Sequence, residues 1–200
     1  ILTAAVSQQK APAARHGSLR PAGRIDVSPL LFVLKACAIA LRSFPNVRSS
    51  LAEGGTSLIV KNYYHLGVAV DTPNGLVVPV VRDVDRKGVR ELAVEVADLA
   101  ERARERKLRP ADFEGAVFSI SSLGGIGGTA FTPIVNAPQV AILGLSRTTV
   151  KPVWDGEAEI FVPRQLLPLS FSYDHRVIDG ADAARFTSEL ARLLSNPSNL

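Results

Sequence analysis

The chain has 200 residues, of which 46% are hydrophobic and 21% are charged, and its formal net charge is +4. This length and composition suit one domain with a substantial core, and we expect no second domain. Basic and acidic residues are interspersed without a Lys/Arg cluster among stacking aromatic residues, which favours a mixed solvated surface over a nucleic-acid site. No stretch approaches the roughly 18 uninterrupted apolar residues of a transmembrane helix, so we expect no membrane span.

The single cysteine, Cys37, excludes an internal disulfide and a cysteine-rich zinc site, and we predict no metal site. It lies in an apolar helical run, which favours a buried small hydrophobic residue over a nucleophile. One free cysteine is also compatible with a reducing compartment. The chain contains no methionine, which indicates a mature or excised piece of a longer translation product.

The first part of the chain is predicted to be irregular and then helical. Residues 1–27 have no sustained periodicity and are predicted to be an arm or linker, in which His16 has no assigned role. A helix is predicted to begin at Ser28, with a capping hydroxyl, and Pro29. Apolar residues at helical spacing give it a broad buried face, and it should end near Ser43 because a proline follows.

A hairpin and a second helix follow. Two Val-rich strand patterns, 65–71 and 76–82, flank the turn residues 72–75 and predict the hairpin. His65 opens the first pattern and is predicted to be structural, since no second histidine or carboxylate partner is evident nearby. Residues 88–107 predict an amphipathic helix whose last turns carry Arg and Lys side chains, which the helix dipole favours.

Residues 115–123 predict a strand that leads into the glycine-rich loop 124–128. The loop matches neither a dinucleotide-binding fingerprint nor a phosphate-binding P-loop, and residues 129–135 lack a helix pattern. From the residues alone, a flexible turn is favoured over a ligand site. Another strand pattern covers 139–145, and 150–162 predicts a further hairpin.

The most informative stretch is the change from a strand pattern to a helix pattern around His175. Apolar residues alternate over 167–173 and follow helical spacing over 183–194. Such a junction holds a side chain on rigid elements at a rim that a substrate can reach. His-x-x-x-Asp is a weak signal by itself, because Asp179 before Gly180 could simply cap the helix.

A family resemblance rests on three ordered segments. They are DTPNGLVVPVVRDVD at 71–85, SISSLGGIGGTAFTPIVNAPQVAILGLSR at 119–147 and SYDHRVIDGADAARF at 172–186. Together they resemble the catalytic domain of the dihydrolipoamide acyltransferases, the core subunits of 2-oxo acid dehydrogenase complexes. The resemblance extends over residues 28–195, and the sequence of these segments is most similar to that of the acetyl-transferring branch of the pyruvate complex.

The resemblance implies an α/β fold of the chloramphenicol acetyltransferase type, with a mixed β-sheet covered by helices, in a catalytic domain over 28–200. It implies homotrimers that build a 24-subunit or a 60-subunit core. A 2-oxo acid decarboxylase and a dihydrolipoamide dehydrogenase would bind through domains that this sequence lacks. The implied compartment is the bacterial cytoplasm, or alternatively the mitochondrial matrix. Two features depart from the family: its acidic opening segment is not recognisable, and Arg48 stands where it usually has Asn.

The implied reaction transfers an acyl group, expected to be acetyl, between the thiols of dihydrolipoamide and coenzyme A, which is a substrate. No lipoylation sequence occurs, so the lipoyl group would come from a domain outside this chain. A thiol with a pKa near 8.5 is mostly protonated at neutral pH, and a neutral imidazole, with an ordinary pKa of about 6.5, suits the removal of its proton. We therefore assign His175 as the general base.

Attack on a thioester produces an oxyanion that needs a hydrogen-bond donor. By its place in SISSLGG, Ser121 resembles the family's hydroxyl for this purpose. Ser122 is the runner-up and lies on the opposite face if the strand continues. We predict a substrate-binding role for Ser122, Leu123, Gly124 and Gly125, since the glycines would let the backbone approach a thin pantetheine or lipoyl arm.

Asp179 completes the predicted catalytic residues, with three roles left open. It could hold the tautomer of His175, anchor the loop through Arg176 or another cation, or cap the helix, and a supporting role is favoured over direct proton transfer. The resemblance further implies that the histidine of one subunit meets the serine of its neighbour. Two alternative functions remain: a same-fold acetyltransferase with an alcohol or amine acceptor, and a non-catalytic core or scaffold subunit.

Overall fold

A computed structural model describes residues 2–5, 27–196 and 200. None of the helices in these ranges is long and apolar enough to cross a membrane. The helices and strands are, in chain order, β1 (Leu2–Ala5), α1 (Pro29–Ser43), β2 (Ser49–Leu51), β3 (Leu58–Val60), β4 (Leu66–Val68), β5 (Val70–Thr72), β6 (Gly75–Val77), β7 (Val80–Val81), α2 (Val89–Arg104), β8 (Phe118–Ser122), β9 (Ala141–Leu145), β10 (Thr149–Asp155), β11 (Ile160–Tyr173) and α3 (Gly180–Ser195).

The main sheet is mixed, and its strand order over the described residues is β1-β11-β9-β8-β4-β7, with β10 paired to the first half of β11. Strand β8 runs parallel to β4 and β9, and the other neighbours are antiparallel. The hairpins β2–β3 and β5–β6 form two small separate sheets. Strands mixed with helices in this way agree with the predicted α/β class.

Helices α1 and α3 and one face of the main sheet form the hydrophobic core. The strand residues on that face are large and apolar, and the intervening positions on the other face are mostly small, including several Ser and Gly. Cys37 lies in this core, and burial raises the pKa of its thiol. The prediction that Cys37 packs rather than reacts is therefore confirmed.

The predicted helices are present with corrected ends. Ser28 precedes α1, but its hydroxyl makes no capping hydrogen bond, and its carbonyl instead accepts one from the Leu31 N–H at 3.1 Å. Helix α2 ends at Arg104 rather than at residue 107. Arg106 adopts a positive φ of 59°, and the Lys107 N–H bonds back across the last turn, which closes the helix without a glycine.

The hairpin predicted around residues 72–75 is confirmed, but its flanking strand patterns divide between two sheets. Strands β5 and β6 form the hairpin itself, and Gly75 has a φ of 108° that its tight turn needs. The outer parts of both patterns, β4 and β7, pair with each other in the main sheet. Strands β8 and β9 begin later than predicted, at Phe118 and Ala141.

Residues 2–5 lie in the segment predicted to be an arm or linker, yet they form β1. This strand pairs with β11 in the register Leu2 to Leu169, so it extends the main sheet by one strand. Residues 6–26, including His16, lie outside the described residues. The boundary at residues 27 and 28 stays a prediction, with part of the sheet on its amino-terminal side.

Candidate active site

The turn between β11 and α3 presents His175 to solvent at the edge of the sheet. Pairing with β9 continues one residue past β11, because the Asp174 N–H donates to the Val140 carbonyl at 2.8 Å. The Val177 and Ile178 N–H groups both donate to the Asp174 carbonyl, and the side chain of Ile178 is fully buried. The imidazole therefore stands on a compact turn that is anchored in the core.

Asp174 also fixes this turn through its side chain. Its carboxylate accepts hydrogen bonds from the Arg176 backbone N–H at 3.0 Å and from the Arg176 guanidinium at 2.6 Å. The hydrogen bonds from the Arg176 side chain lower the pKa of this carboxyl. Sequence reasoning did not select Asp174, although an aspartate that can close a turn on its own backbone two residues later is a recognisable signal.

Asp179 is the N-cap residue of α3. Its carboxylate accepts a hydrogen bond from the Asp182 backbone N–H at 2.8 Å, and this bond is the main reason why its pKa is lowered. No hydrogen bond or ion pair joins it to His175 within residues 27–196. Asp179 does not anchor the loop through Arg176, because Asp174 takes that guanidinium, and anchoring through another cation stays a prediction.

Ser121 and Ser122 end β8 on opposite faces of the sheet. Ser121 is 8% exposed on the face away from α1 and α3, and Ser122 is exposed. The Ser121 hydroxyl makes no hydrogen bond with any residue in the described part of the chain. It is therefore a donor without a protein partner, at a point where the strand meets the glycine loop.

The three residues after Ser122 form the first part of that loop. The Leu123 N–H donates to the Leu145 carbonyl at 2.9 Å, and the Leu123 carbonyl accepts the N–H groups of the next turn. Gly124 lies beside Ser122, since a Cβ placed on it would be 3.8 Å from the Ser122 oxygen. A Cβ on Gly125 would contact nothing within 4 Å, so this backbone is open to an approaching ligand.

A row of three small residues, of which Ser121 is the first, crosses the sheet. Ser121 pairs with Gly144 of β9, which pairs with Ser170 of β11. Phe131 lies directly over Gly144, where a Cβ would be 2.8 Å from the ring, and Ser170 is buried with its hydroxyl unpaired. Sequence reasoning missed Gly144, because nothing in the pattern predicts that an aromatic ring covers it.

The register of the sheet separates Ser121 from His175. Tyr173 pairs with Ala141 at the start of β9, whereas Ser121 pairs with Gly144 near its end. Ala141 and Gly144 are three residues, or about 10 Å, apart along β9. His175 lies two residues beyond Tyr173 and is therefore further still from Ser121. Ser121 and His175 of one chain therefore lie beyond opposite ends of the sheet's strands.

Arg48, at a position where the resemblance implies an asparagine, is buried beside the end of α1. Its Nε donates to the Leu41 carbonyl at 3.0 Å, and its Nη1 donates to the Lys61 carbonyl and to Asn62 Oδ1. The guanidinium also lies 5.6 Å from the centre of the Tyr64 ring. These contacts join α1 to the segment after β3, so Arg48 has a structural role in this chain.

His65 has a structural role as predicted, but a carboxylate is closer than expected. Its Nδ1 accepts a hydrogen bond from the Asp83 N–H at 3.0 Å, and the Asp83 carboxylate lies 3.7 Å from the same nitrogen. Burial is the main cause of the lowered pKa of His65, which outweighs the attraction of Asp83. The neutral imidazole thus joins the start of β4 to the end of β7.

Comparisons with known proteins agree with these features. Residues 4–200 match the family model described as 2-oxoacid dehydrogenases acyltransferase (catalytic domain). Over 188 residues the chain is 58% identical to the dihydrolipoyllysine-residue acetyltransferase component of the pyruvate dehydrogenase complex of Pseudomonas aeruginosa, covering 94% of this chain and 33% of that protein. The chain thus spans about a third of that relative's length.

Solved structures give the same result. A structure of the Azotobacter vinelandii dihydrolipoamide acetyltransferase, from an investigation of a serine, a histidine and an asparagine in its catalytic mechanism, superposes with a TM-score of 0.84 at 57% identity. The cubic core of a pyruvate dehydrogenase multienzyme complex gives 0.84 at 58% identity. Each alignment covers 86% of this chain and 70% of the other. A chloramphenicol acetyltransferase shares the fold, with a TM-score of 0.55 at 17% identity over 82% and 77% of the two chains.

Proposed function

Because this chain belongs to the 2-oxoacid dehydrogenase acyltransferase family, we propose that it transfers an acetyl group between coenzyme A and dihydrolipoamide in a pyruvate dehydrogenase complex. The observation that carries the proposal is His175, an exposed imidazole on a rigid turn, with no hydrogen bond to any described residue. Its nitrogens are thus available to a thiol. The lipoyl group comes from a domain outside these 200 residues, and the proposed compartment is the bacterial cytoplasm.

His175 acts as the general base. It removes the proton from the attacking thiol, the thiolate adds to the thioester carbonyl, and the tetrahedral intermediate expels the other sulfur. The protonated imidazole then returns its proton to that sulfur. The reaction needs no acyl-enzyme, because both thiols are held at one site and the chain's one cysteine, Cys37, is buried in the core.

The Ser121 hydroxyl donates a hydrogen bond to the oxyanion of that intermediate. It has no partner in the described part of the chain, so it can turn toward a new acceptor without breaking an existing bond. The open backbone at Gly125 leaves room beside it for a thin thiol-bearing arm. Loss of such a donor typically costs about 3 kcal/mol of transition-state stabilisation.

The site is shared between two copies of the chain. Since Ser121 and His175 lie at opposite strand ends of one sheet, a single copy cannot bring both to one carbonyl. A ring of copies related by rotation can place the His175 end of each sheet against the Ser121 end of the next. A homotrimer within a 24-subunit or 60-subunit core satisfies this requirement, and a similar solved structure is a cubic core.

The hairpin of β10 and the first half of β11 suits contact with this second copy. The hairpin extends beyond the main sheet past Leu145, on the side of the sheet where Ser121 lies. Strand β10 has no second neighbour among the described strands. One face of the hairpin is apolar and exposed, with Trp154 at 55% and Phe161 at 67% in an edge-to-face pair. A two-stranded ribbon is marginal in water, and exposed apolar patches mark interaction sites.

The proposal is tested by acetyl transfer from acetyl-coenzyme A to dihydrolipoamide in the assembled protein. We expect His175→Ala to lower kcat by about 100-fold or more, and Ser121→Ala by about 100-fold. Ser122→Ala separates the two serines of this strand end. Its hydroxyl faces the other side of β8, so its kcat should fall far less than that of Ser121→Ala, whereas a raised KM would support its predicted substrate-binding role. Full turnover in His175→Ala contradicts the proposed mechanism. An assembled native protein that acetylates alcohols or amines but not dihydrolipoamide contradicts the proposed acceptor.

A further inference from the structure

A continuous series of aromatic ring contacts leads from the core to the His175 imidazole. Phe118 of β8 stacks with Phe171 of β11 at 6.3 Å between ring centres, and Phe171 stacks with Tyr173 at 5.4 Å. Tyr173 in turn lies 5.7 Å from the His175 ring, with 37° between the two planes. Exposure rises along this series, from fully buried Phe118 to solvent-exposed His175.

The inner rings of this series, Phe118 and Phe171, are held in place by a third ring. Phe186 of α3 packs against Phe118 at 5.9 Å and against Phe171 at 5.0 Å, and it is fully buried. The backbone of Tyr173 is paired with Ala141 in the sheet. The Tyr173 ring is therefore fixed in position by both the sheet and the core.

Among the described residues, the imidazole has no polar partner that could orient it instead. Within residues 27–196 it makes no hydrogen bond, and the Asp179 carboxylate attracts it only at a distance while capping α3. In hydrolase triads a carboxylate bonded to one nitrogen performs this task. An aromatic face can fix the plane of the imidazole and leave its nitrogens free to exchange a proton with the reacting thiols.

We propose that Tyr173 is the positioning residue of His175, and that its ring rather than its hydroxyl does this. The inference rests on the proposed function, in which His175 is the base. The Tyr173 hydroxyl makes no hydrogen bond to a described residue, so its removal leaves the ring contact intact. Loss of the ring would let the imidazole rotate about its side-chain bonds and spend less time in the reactive orientation.

The test measures kcat and the KM for acetyl-coenzyme A separately in the assembled protein. We expect Tyr173→Leu to lower kcat by about 10- to 100-fold with KM changed less than about twofold. Tyr173→Phe keeps the ring and should keep the native kcat. Phe44→Leu is the matched control, since Phe44 packs edge-to-face on Phe186 at 5.4 Å in the same core and does not contact His175. It should lower the Tm and leave kcat nearly unchanged. If Tyr173→Leu does not assemble, Tyr173→Met keeps the bulk without the flat ring and is expected to lose kcat in the same way.

The outcomes separate this inference from the function on which it rests. A kcat for Tyr173→Leu or Tyr173→Met that equals that of Phe44→Leu overturns the positioning role, even if His175→Ala is inactive. A Tyr173→Phe variant as slow as the leucine variant assigns the effect to the hydroxyl and also overturns it. An active His175→Ala variant refutes the general-base mechanism itself.

Discussion

Ser121 pairs with Gly144 near the carboxyl end of β9, whereas His175 follows a strand that passes the amino-terminal end of β9. The residues proposed to contact one thioester are thus kept apart within a single chain. Any rearrangement that brought them together would have to break the β8–β9–β11 sheet, which is buried on its helix face. Association of two copies requires no such rearrangement, so assembly and chemistry are coupled in the proposed mechanism.

Asp174 should support catalysis through the turn that carries His175. Replacing it by alanine removes the acceptor of both the Arg176 N–H and the Arg176 guanidinium, and the turn loosens. We expect Asp174→Ala to lower kcat by about tenfold. The measurement is steady-state acetyl transfer, with Asp182→Ala as the control, because Asp182 forms a comparable exposed pair with Arg185 at 2.8 Å. Equal activities of the two variants would refute a role for the turn.

Asp179 should act as a helix cap and not as a proton carrier. We expect Asp179→Asn to keep most of the activity, since an amide oxygen can still accept the Asp182 N–H, whereas Asp179→Ala should lower the free energy of unfolding. Thermal unfolding and kcat are measured for both variants. An inactive, well-folded Asp179→Asn protein would contradict it.

The same cap gives a pH dependence with a definite sign. The folded-state pKa of Asp179 is lowered, so its contribution to stability is present above the ordinary pKa of Asp, about 3.9, and is lost as the pH falls through the folded value. Asp179→Asn, which does not titrate, should therefore reduce the loss of stability below about pH 4. Urea unfolding at several acidic pH values checks this, and identical profiles for the two proteins would contradict it.

Much of the fold follows from the sequence, because periodicity reports burial directly. The alternation over 167–173 and the helical spacing over 183–194 correspond to β11 and α3. Long-range pairing was not predictable, since no local pattern shows that β8 is parallel to β9 or that β1 joins β11. The sequence motifs selected the candidate side chains, whereas their separation within one copy is a property of strand register alone.

Details of the site were missed for the same reason. The acidic side chain that bonds Arg176 is Asp174, and only the turn geometry distinguishes it from Asp179. Tyr173 has the appearance of an ordinary core residue in the alternating pattern. Its contact with the imidazole depends on how the chain leaves the strand, which sequence spacing does not describe.

His65 should make stability depend on pH near neutrality. Burial lowers its folded-state pKa, so its contribution is fully present above the ordinary pKa of about 6.5 and is lost as the pH falls below that value toward the folded pKa. Protonation of Nδ1 also removes the acceptor of the Asp83 N–H. His65→Asn places a neutral amide oxygen near the same position and should flatten the dependence below about pH 6.5. Chemical unfolding across this range checks it, and an unchanged slope would contradict the role of His65.

Trp154 and Phe161 should be needed for assembly rather than for folding of the single chain. Both are exposed at the end of the β10–β11 hairpin, so their removal leaves the core intact. We expect Trp154→Ala with Phe161→Ala to shift the protein toward smaller species in analytical ultracentrifugation, with loss of acetyl transfer. Val94→Ala is the control, since Val94 is exposed to a similar degree on α2. An unchanged assembly of the double variant would exclude the hairpin from the interface.

The most direct test of a site shared between two copies is complementation between two inactive variants. His175→Ala and Ser121→Ala proteins are prepared separately and as an equal mixture reassembled from dissociated subunits, and acetyl transfer is measured. Random mixing places an intact histidine opposite an intact serine at about one quarter of the interfaces, so the mixture should recover about a quarter of the native activity. A mixture that is no more active than the two separate variants, although mixed assembly is demonstrated by mass spectrometry, would contradict the shared site.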